Sequence, residues 1–283
     1  MAWAGEGRSM LNLHERAARL VDAIDRSDFA AALIAHLAER TEFDAATIFV
    51  HRHNQSPIHV FNNFTGEKAK NGIREYLEKT YALNPFFQAQ QAGLTSGVYR
   101  IRDLAPDIFF QSEFYNDYRI KVTRQEEIGY VTRDWPEGLG EIDIALQLEG
   151  NETVELALYR YLRKGDFQGT DLAVIEEELT FILACFRAYW SRSRAAHDRS
   201  QRDAPARPTE PFGQGAISSR ERQVLELVLR GHSSESIASQ LGISLATVKT
   251  HRKNAYEKLQ ISTQAELLNL YLKHIGTDLT PAR

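Results

Sequence analysis

A short run of cationic and hydroxyl side chains near the carboxyl end is the clearest candidate for chemistry. Lys249 and Lys253 stand four residues apart with Thr250 beside them, so on a helix they project near one face. Ammonium and hydroxyl groups in this arrangement donate hydrogen bonds to base edges in the major groove of DNA and to backbone phosphates. The spacing therefore predicts a helix that contacts a nucleic-acid duplex.

The residues before this run carry the signals that start and stop two shorter helices. Ser218 and Glu221 have the spacing of a capping box, in which each side chain accepts a hydrogen bond from the backbone N–H of the other residue. Gly231 suits the end of the first helix, because glycine adopts the left-handed conformation at little cost. A second helix over residues 234–240 leads through a tight turn into a third. The pattern predicts a helix-turn-helix whose second member spans residues 245–259.

Residues 217–268 resemble the LuxR/GerE-type helix-turn-helix found at the C-terminus of many bacterial transcription regulators. The resemblance is carried by the S/T-x-x-E cap, a V-L pair and Gly231, and by the segments IASQLGIS, TVKTH and KL. It implies that Glu221 is buried and serves folding. The residues that match the family's base readers are Lys249, Thr250 and Lys253. Those that the resemblance places nearer the phosphates of double-stranded DNA are Thr247, His251, Arg252 and Lys258.

The charge of the chain is divided unevenly along its length, although the formal net charge is only -4. Residues 1–190 carry 20 basic and 29 acidic side chains and stand at -9, whereas residues 213–283 carry nine basic and six acidic side chains and stand at +3. Residues 191–215 are rich in proline, small and charged residues, which is typical of a linker. We therefore predict a sensor and dimerisation domain over 1–190, a linker over 191–215 and a DNA-binding domain over 216–283.

Composition excludes several other classes of protein. Of the 283 residues, 43% are hydrophobic and 25% are charged, which is typical of a globular chain. The sequence has no apolar run of the length of a membrane helix and no signal peptide at its start, so we expect a cytoplasmic protein without membrane contact. The single cysteine, Cys185, rules out an internal disulfide and a site built from several thiolates. We expect neither a metal nor a cofactor.

The first 190 residues combine helical and β-rich segments. Helical spacing covers residues 10–40 with a break near 25–28, and a long helix is predicted from Thr170 to Ala195. Strands are predicted at residues 46–51, 57–62, 98–102, 128–133, 141–148 and 153–161. In the strand 141–148, Asp143 and Gln147 alternate with apolar residues, so one face should cover a core and the other should face away from it. The α+β class follows: an N-terminal α/β sandwich with a central antiparallel sheet, then an all-α four-helix helix-turn-helix domain.

Such a module resembles GAF and PAS sensor domains, and residues 76–118 are similar to the sensor halves of LuxR-type regulators. The similarity is carried by the segments LNPFF, SGVYRIRDL and QSEFYNDY. Asn84 and Pro85 stand where the acyl-homoserine lactone receptors have Asp-Pro, and losing that carboxylate argues against a lactone ligand. The LuxR-type regulators that residues 76–118 resemble lack a known signal, so the small-molecule effector that we expect for this half is of unknown identity. The candidate lining residues are Tyr76, Tyr81, Phe86, Phe87, Tyr99 and Trp135.

Three features leave alternatives open. Apolar residues of the helix from Thr170 follow the 3,4 spacing of a packing seam, which covers either the chain's own sheet or a second copy in a homodimer. The candidate aromatic rings could equally be core residues. His51, His53 and His59 are candidates for a metal cluster, since residues two apart, as His51 and His53 are, share a strand face, but no nearby carboxylate or thiolate completes a ligand set. We therefore expect these histidines to face solvent.

Other input domains and an enzyme are not expected. The β-β-α order does not fit a phosphorylated receiver domain, and TGEKAKNG at 65–72 lacks the spacing of an ATPase phosphate loop. The sequence also contains neither a nucleophile elbow nor a paired metal motif. The leading hypothesis is a homodimeric DNA-binding transcription regulator controlled by a small molecule. The alternative is a ligand-independent regulator whose N-terminal domain only dimerises or contacts partner proteins.

Overall fold

The structure is a computed structural model in which most of the chain is described. The described residues are 13–52, 55–64, 73, 76–77, 80–111, 139–200 and 211–274. The helices are α1 (Leu13–Asp22), α2 (Phe29–Ala38), α3 (Pro85–Gln91), α4 (Ile101–Leu104), α5 (Gly169–Glu176), α6 (Leu179–Ser200), α7 (Ser219–Leu229), α8 (Ser234–Leu241), α9 (Leu245–Leu259) and α10 (Gln264–His274). The strands are β1 (Ala45–Arg52), β2 (Gln55–Asn62), β3 (Gly97–Arg100), β4 (Leu139–Gln147) and β5 (Glu152–Tyr161). Short 3-10 helices span Thr80–Leu83, Phe109–Gln111 and Leu162–Lys164.

The five strands form one antiparallel sheet in the order β2-β1-β5-β4-β3. A tight hairpin joins β4 to β5, with Gly150 (φ 76°) and Asn151 (φ 63°) in left-handed conformations. The predicted α+β class with a central antiparallel sheet is confirmed. The strand predicted at 128–133 lies outside the described residues. Among the described helices, none combines the length and the apolar character that crossing a bilayer requires.

One face of the sheet is covered by α1, α2, α5 and α6. Ile48, Ile144 and Leu156 of the central strands are fully buried in the cluster that these helices complete. Phe29 of α2 stacks on Tyr189 of α6 with ring centroids 4.5 Å apart. The apolar seam predicted along this part of the chain therefore covers the chain's own sheet, which is one of the two predicted alternatives.

A single helix was predicted from Thr170 to Ala195, and that prediction was wrong about continuity. The structure has two helices, α5 and α6, with a break at residues 177 and 178. Glu178 lies at the junction and is 7% exposed, and its carboxylate lies 2.6 Å from Nε of Arg40. With this side chain turned inward, the Glu178 N–H donates to the carbonyl of Ile175, three residues back, which is a tighter turn than the α-helix makes. Beyond the junction, α6 continues to Ser200, into the segment predicted to be a linker.

The opposite face of the sheet is buried as well, which the alternation in β4 did not predict. Asp143, expected to face away from the core, is fully buried, and Glu155 is 2% exposed. This face is covered by residues 80–91, and the ring of Phe86 packs against His51 with centroids 5.4 Å apart. Because the covering segment is remote in sequence from β4, the alternation of polar and apolar residues alone does not reveal it.

Helices α7, α8, α9 and α10 form a second unit around their own core. That core takes at least one residue from each helix, including Val224, Ile237, Val248 and Leu267. Phe212 and Ile217, which flank the end of the predicted linker, belong to the same cluster. Leu83 and Phe109 from the N-terminal half also belong to it, so the two halves of the chain touch.

Candidate nucleic-acid interface and ligand site

The helix α9 begins and ends at residues that suit its two termini. Ser244 precedes it, and the Oγ of Ser244 accepts a hydrogen bond from the Thr247 N–H at 3.0 Å. The helix ends at Leu259, and the next residue, Gln260, adopts a left-handed conformation with φ 55°. Val248 and Ala255 are fully buried in the core formed with α7 and α8. These contacts fix which face of α9 points inward and leave the other face to solvent.

The outer face of α9 presents the cations that the sequence predicts for DNA contact. The exposed side chains are Lys249, Thr250, Arg252 and Lys253, and the half-buried ones are Thr247 and His251. The side chain of Lys253 is 75% exposed, and its Nζ lies 3.7 Å from the carboxylate of Glu257, one turn further along. An exposed pair of this kind contributes little energy, so it leaves Lys253 available to another anion. The hydroxyl of Thr250 donates to the carbonyl of Ala246 at 2.9 Å.

Lys258 differs from the other residues of this set because it is bound within the helical unit. Its Nζ lies 2.7 and 2.8 Å from the two carboxylate oxygens of Glu221, which is 4% exposed. Glu221 also completes the capping box, since its Oε2 accepts from the Ser218 N–H at 2.7 Å. Hydrogen bonds from Lys258 and Ser218 lower the pKa of Glu221. In the structure Lys258 therefore binds Glu221 and stabilises the helical unit. Its contact with a DNA phosphate stays a prediction.

Four of the predicted ligand residues come together on the second face of the sheet. Tyr81 and Phe86 are fully buried, Phe87 is 7% exposed and Tyr76 is half-buried. Tyr81 meets Phe87 edge-on with ring centroids 5.0 Å apart, and Tyr76 meets Tyr81 at 6.5 Å. The rings form one aromatic cluster, which is the composition of a small-molecule site and also of a packed core.

Of the other two predicted ligand residues, only Tyr99 is described, and it does not join this cluster. Tyr99 lies on the edge strand β3, where its hydroxyl donates to the carbonyl of Thr95 at 3.1 Å. Trp135 lies outside the described residues. The structure thus groups Tyr76, Tyr81, Phe86 and Phe87 and leaves Tyr99 at the rim of the sheet.

A buried polar network lies among these rings, and it was not predicted from the sequence. The carboxylate of Glu155 on β5 accepts hydrogen bonds from the Tyr76 hydroxyl at 3.2 Å and from the Asn84 amide at 3.1 Å. Nε2 of His51, which is fully buried on β1, lies 2.5 Å from the same carboxylate. The Asn84 amide also donates to the Tyr76 oxygen at 2.8 Å. The Oδ1 of Asn84 accepts from the Phe86 N–H at 2.9 Å, so Asn84 caps the start of α3.

The expectation that His51 faces solvent was therefore wrong. Nearly all residues of β1 are buried, which is typical of a strand covered on both faces, and the apolar residues around His51 were the available signal. A histidine in such a strand requires a polar partner. The partner, Glu155, lies on β5, and a single sequence does not reveal which strands become neighbours.

The comparisons with known proteins agree with this architecture. The sequence model of the family described as "Bacterial regulatory proteins, luxR family" matches residues 216–271. An HTH-type transcriptional regulator assigned to the exeN 3' region of Aeromonas salmonicida is 31% identical over 202 residues, which cover 69% of this chain and 95% of that protein. The transcriptional regulatory protein MctR of Rhizobium johnstonii is 45% identical over 62 residues, 22% of this chain and 29% of that protein.

Among solved structures, the N-terminal fold is similar to the VqsR LBD domain from Pseudomonas aeruginosa. The TM-score is 0.51 at 21% identity, and the superposition covers 64% of this chain and 97% of that one. At this level of identity the likeness concerns the fold, an antiparallel sheet between two layers.

Proposed function

Because the chain belongs to the luxR family of bacterial regulatory proteins, it is a transcriptional regulator with a LuxR-type DNA-binding domain, and we propose that α9 lies in the major groove of double-stranded DNA. The observation that carries the proposal is that α9 has one buried apolar face and one exposed polar face. Val248 and Ala255 hold one face in the core, so the face that carries Lys249, Thr250 and Lys253 is the one available to a duplex.

Within this interface we assign two kinds of contact. The base readers are Lys249, Thr250 and Lys253. The phosphate contacts are Thr247, His251, Arg252 and Lys258. This division is the one that the resemblance to the LuxR/GerE-type helix-turn-helix implies, in which base contacts specify the sequence and phosphate contacts position the protein. Lys258 keeps its bond to Glu221 and, with its side chain 46% exposed, offers its remaining donor to a phosphate.

A selection experiment tests this function. The purified chain is used to enrich duplexes from a random pool, and the affinity for the enriched duplex is then measured for Lys249→Ala and for Lys273→Ala. Lys273 is an exposed lysine of α10, so its variant loses the same charge elsewhere on the domain. We expect Lys249→Ala to bind the enriched duplex about 10-fold or more weaker and Lys273→Ala to change little. Failure to enrich any duplex, or equal losses in the two variants, would contradict the proposal.

We further propose that the regulator is a homodimer that works in the cytoplasm. Helix-turn-helix proteins bind two half-sites as two-fold dimers, which is the support for this assembly. The seam of α6 is occupied by the chain's own sheet, so the contact between copies is to be sought on another surface of the chain. Light scattering on the 32.2 kDa chain separates a dimer of twice that mass from a monomer.

The proposed domains are a sensor over 1–190, a linker over 191–215 and a DNA-binding domain over 216–283. Two observations bear on their limits. Helix α6 runs to Ser200, and the core of the second unit already includes Phe212. The connecting segment is therefore best sought between these two residues, inside the proposed linker.

For the sensor domain we propose an effector site on the second face of the sheet, beside Tyr76, Tyr81, Phe86 and Phe87. Aromatic walls around a few convergent polar groups are the usual composition of such sites, and the Glu155 network supplies the polar groups. Tyr99 and Trp135 stay predictions.

The alternative, a ligand-independent regulator, is favoured by the closure of that network, because the Glu155 carboxylate already accepts from Tyr76 and Asn84. Native mass spectrometry of the purified chain separates the two proposals. A bound small molecule of defined mass supports the effector, and a chain without one supports the alternative.

A further inference from the structure

The two halves of the chain meet where residues 105–109 cross the start of α8. Oδ1 of Asp107 accepts a hydrogen bond from the backbone N–H of Ser233 at 2.9 Å. Next to it, the Ile108 N–H donates to the carbonyl of Gly231 at 3.1 Å. Asp107 belongs to the proposed sensor half and Ser233 is the N-cap of α8, so these bonds join the sensor half to the helix-turn-helix.

Apolar packing accompanies these two hydrogen bonds. Phe109 is fully buried and Leu83 is 3% exposed, and both belong to the core cluster of α7 to α10. Gly231 has φ 89°, and a Cβ at this position would lie 2.5 Å from the Cα of Phe109. The backbones therefore approach as closely as a glycine allows. The contact is a packed interface between the two halves.

The carboxylate of Asp107 lies at the start of α8, where the helix favours a negative charge. The start of a helix carries free N–H groups and a partial positive charge, which makes it a binding position for anions and for phosphate groups. In a helix-turn-helix, the first helix of the motif, here α8, crosses the DNA backbone. Burial acts to raise the pKa of Asp107, but the hydrogen bonds from Ser233 outweigh it and the pKa is lowered. The group at this position is therefore a carboxylate anion at neutral pH.

We propose that Asp107 occupies the place of a DNA backbone phosphate at the start of α8, and that the docked arrangement is an autoinhibited form of the regulator. This inference rests on the proposed binding of DNA by α9. The docked half adds a general repulsion, since residues 1–190 carry 20 basic and 29 acidic side chains. The outer face of α9 is exposed in the same arrangement, so the block acts at α8 and leaves the reading helix uncovered by the described residues.

The docking surface is joined to the proposed effector site by one short segment. Tyr81 packs in the aromatic cluster and Asn84 binds Glu155, while Leu83 between them packs in the core of the DNA-binding unit. A molecule that displaces Tyr81 or Asn84 therefore moves Leu83 with them. The same segment gives an effector a direct mechanical route to release α8.

Affinity measurements on the full chain test the proposal. The variant Asp107→Ala removes the carboxylate from α8, and Asp103→Ala removes an exposed carboxylate of α4 with the same change in net charge. We expect Asp107→Ala to bind the enriched duplex about five-fold or more tighter than Asp103→Ala, the lower end of typical coupling between sites. The neutral variant Leu83→Ala should shift the affinity in the same direction, because it weakens the docking without changing the charge.

Equal affinities for Asp107→Ala and Asp103→Ala would overturn the proposal. The proposal would also be overturned if Asp107→Ala bound the duplex more tightly while a folded Leu83→Ala did not. The higher affinity would then come from the change in charge alone and not from weaker docking. Both results leave specific binding by the unaltered chain intact, whereas absence of specific binding in every form would contradict the proposed function itself.

Hydrogen exchange gives an independent readout on the unaltered chain. Linkage requires that DNA weaken the docking as much as the docking weakens DNA binding. The Ile108 N–H, bound to Gly231 in the docked form, should therefore exchange faster when the enriched duplex is added. The Ile182 N–H of α6, bound to the carbonyl of Glu178 just before that helix, serves as the internal control. Unchanged or increased protection of Ile108 at saturating duplex would overturn the proposal.

Discussion

Lys258 and Glu221 form an ion pair that ties the end of α9 to the start of α7. Replacement of Lys258 by Ala leaves a carboxylate that is 4% exposed without its ammonium partner. We expect Lys258→Ala to lower the free energy of unfolding of the chain by about 1–3 kcal/mol, the usual cost of a buried acceptor that loses its partner. Urea unfolding measures the loss, with Lys273→Ala as the control. Equal midpoints in the two variants would show that the pair contributes nothing to folding.

Individual side chains differ in how far the sequence predicts their environment. The bonds between Ser218 and Glu221 were predictable, because both residues lie within one helical turn and need no knowledge of the rest of the fold. The burial of His51 and Asp143 was not predictable, because each depends on a strand or covering segment far away in sequence. Asn84 illustrates the second kind, since its amide donates to both Tyr76 and Glu155, a role that an aspartate cannot fill.

Among the elements, α5 is held to β5 and to the turn after α2 by one carboxylate. Asp171 accepts hydrogen bonds from Arg160 at 2.8 Å, from the Thr41 hydroxyl at 2.6 Å and from the Gln168 N–H at 2.6 Å. Burial acts to raise its pKa, but these hydrogen bonds outweigh it and lower the pKa from 3.8 to about 2. The ionised form is therefore the one that the fold stabilises.

The sign of the resulting pH dependence follows from that shift. Because the folded pKa lies below the unfolded one, Asp171 stabilises the fold above the unfolded value of 3.8, and this stabilisation is lost as the pH falls towards about 2. We expect Asp171→Asn to be less stable at neutral pH and to lose less stability between these two values than the unaltered chain. Unfolding curves across this range measure it, with the exposed Asp103→Asn as control. A variant that keeps the full acid dependence would contradict this assignment.

The seam of α6 gives a prediction about packing. Ile182 is fully buried against the sheet, whereas Ala184 on the same helix is exposed. We expect Ile182→Asp to unfold the N-terminal half, because burying an unpaired carboxylate costs about 2 kcal/mol or more, while Ala184→Asp should fold normally. Circular dichroism together with light scattering distinguishes the outcomes. A folded, monomeric Ile182→Asp would instead place this seam between two copies of the chain.

Element boundaries were predictable where local signals decide them. The hairpin at Gly150 and the start of α9 after Ser244 follow from turn and cap residues. The junction between α5 and α6 was missed, because it depends on the inward turn of Glu178 towards Arg40. A 3,4 apolar spacing continues across this junction, so periodicity alone predicts one helix.

At the scale of the whole molecule, the helical unit at the carboxyl end was predictable almost entirely, and its relation to the N-terminal half was not. The four helices carry their own caps, turns and apolar faces, with the Thr263 hydroxyl oxygen accepting from the Glu266 N–H at the start of α10. The docking of Asp107 and Phe109 onto this unit depends on surface complementarity between segments more than 100 residues apart, as between Asp107 and Ser233. Nothing in the sequence around these residues marks them as a contact for the second unit.

The central claim, that α9 reads bases, is tested most directly by the specificity of Lys253→Ala. A lysine at a base edge discriminates between sequences, whereas a lysine at a phosphate adds affinity to any duplex and increases its salt dependence. Binding of the unaltered chain and of Lys253→Ala is measured on the enriched duplex and on a scrambled one across a salt series. We expect a loss of roughly 1–3 kcal/mol on the enriched duplex and a much smaller loss on the scrambled one. An unchanged ratio of the two affinities would contradict the placement of α9 in the groove.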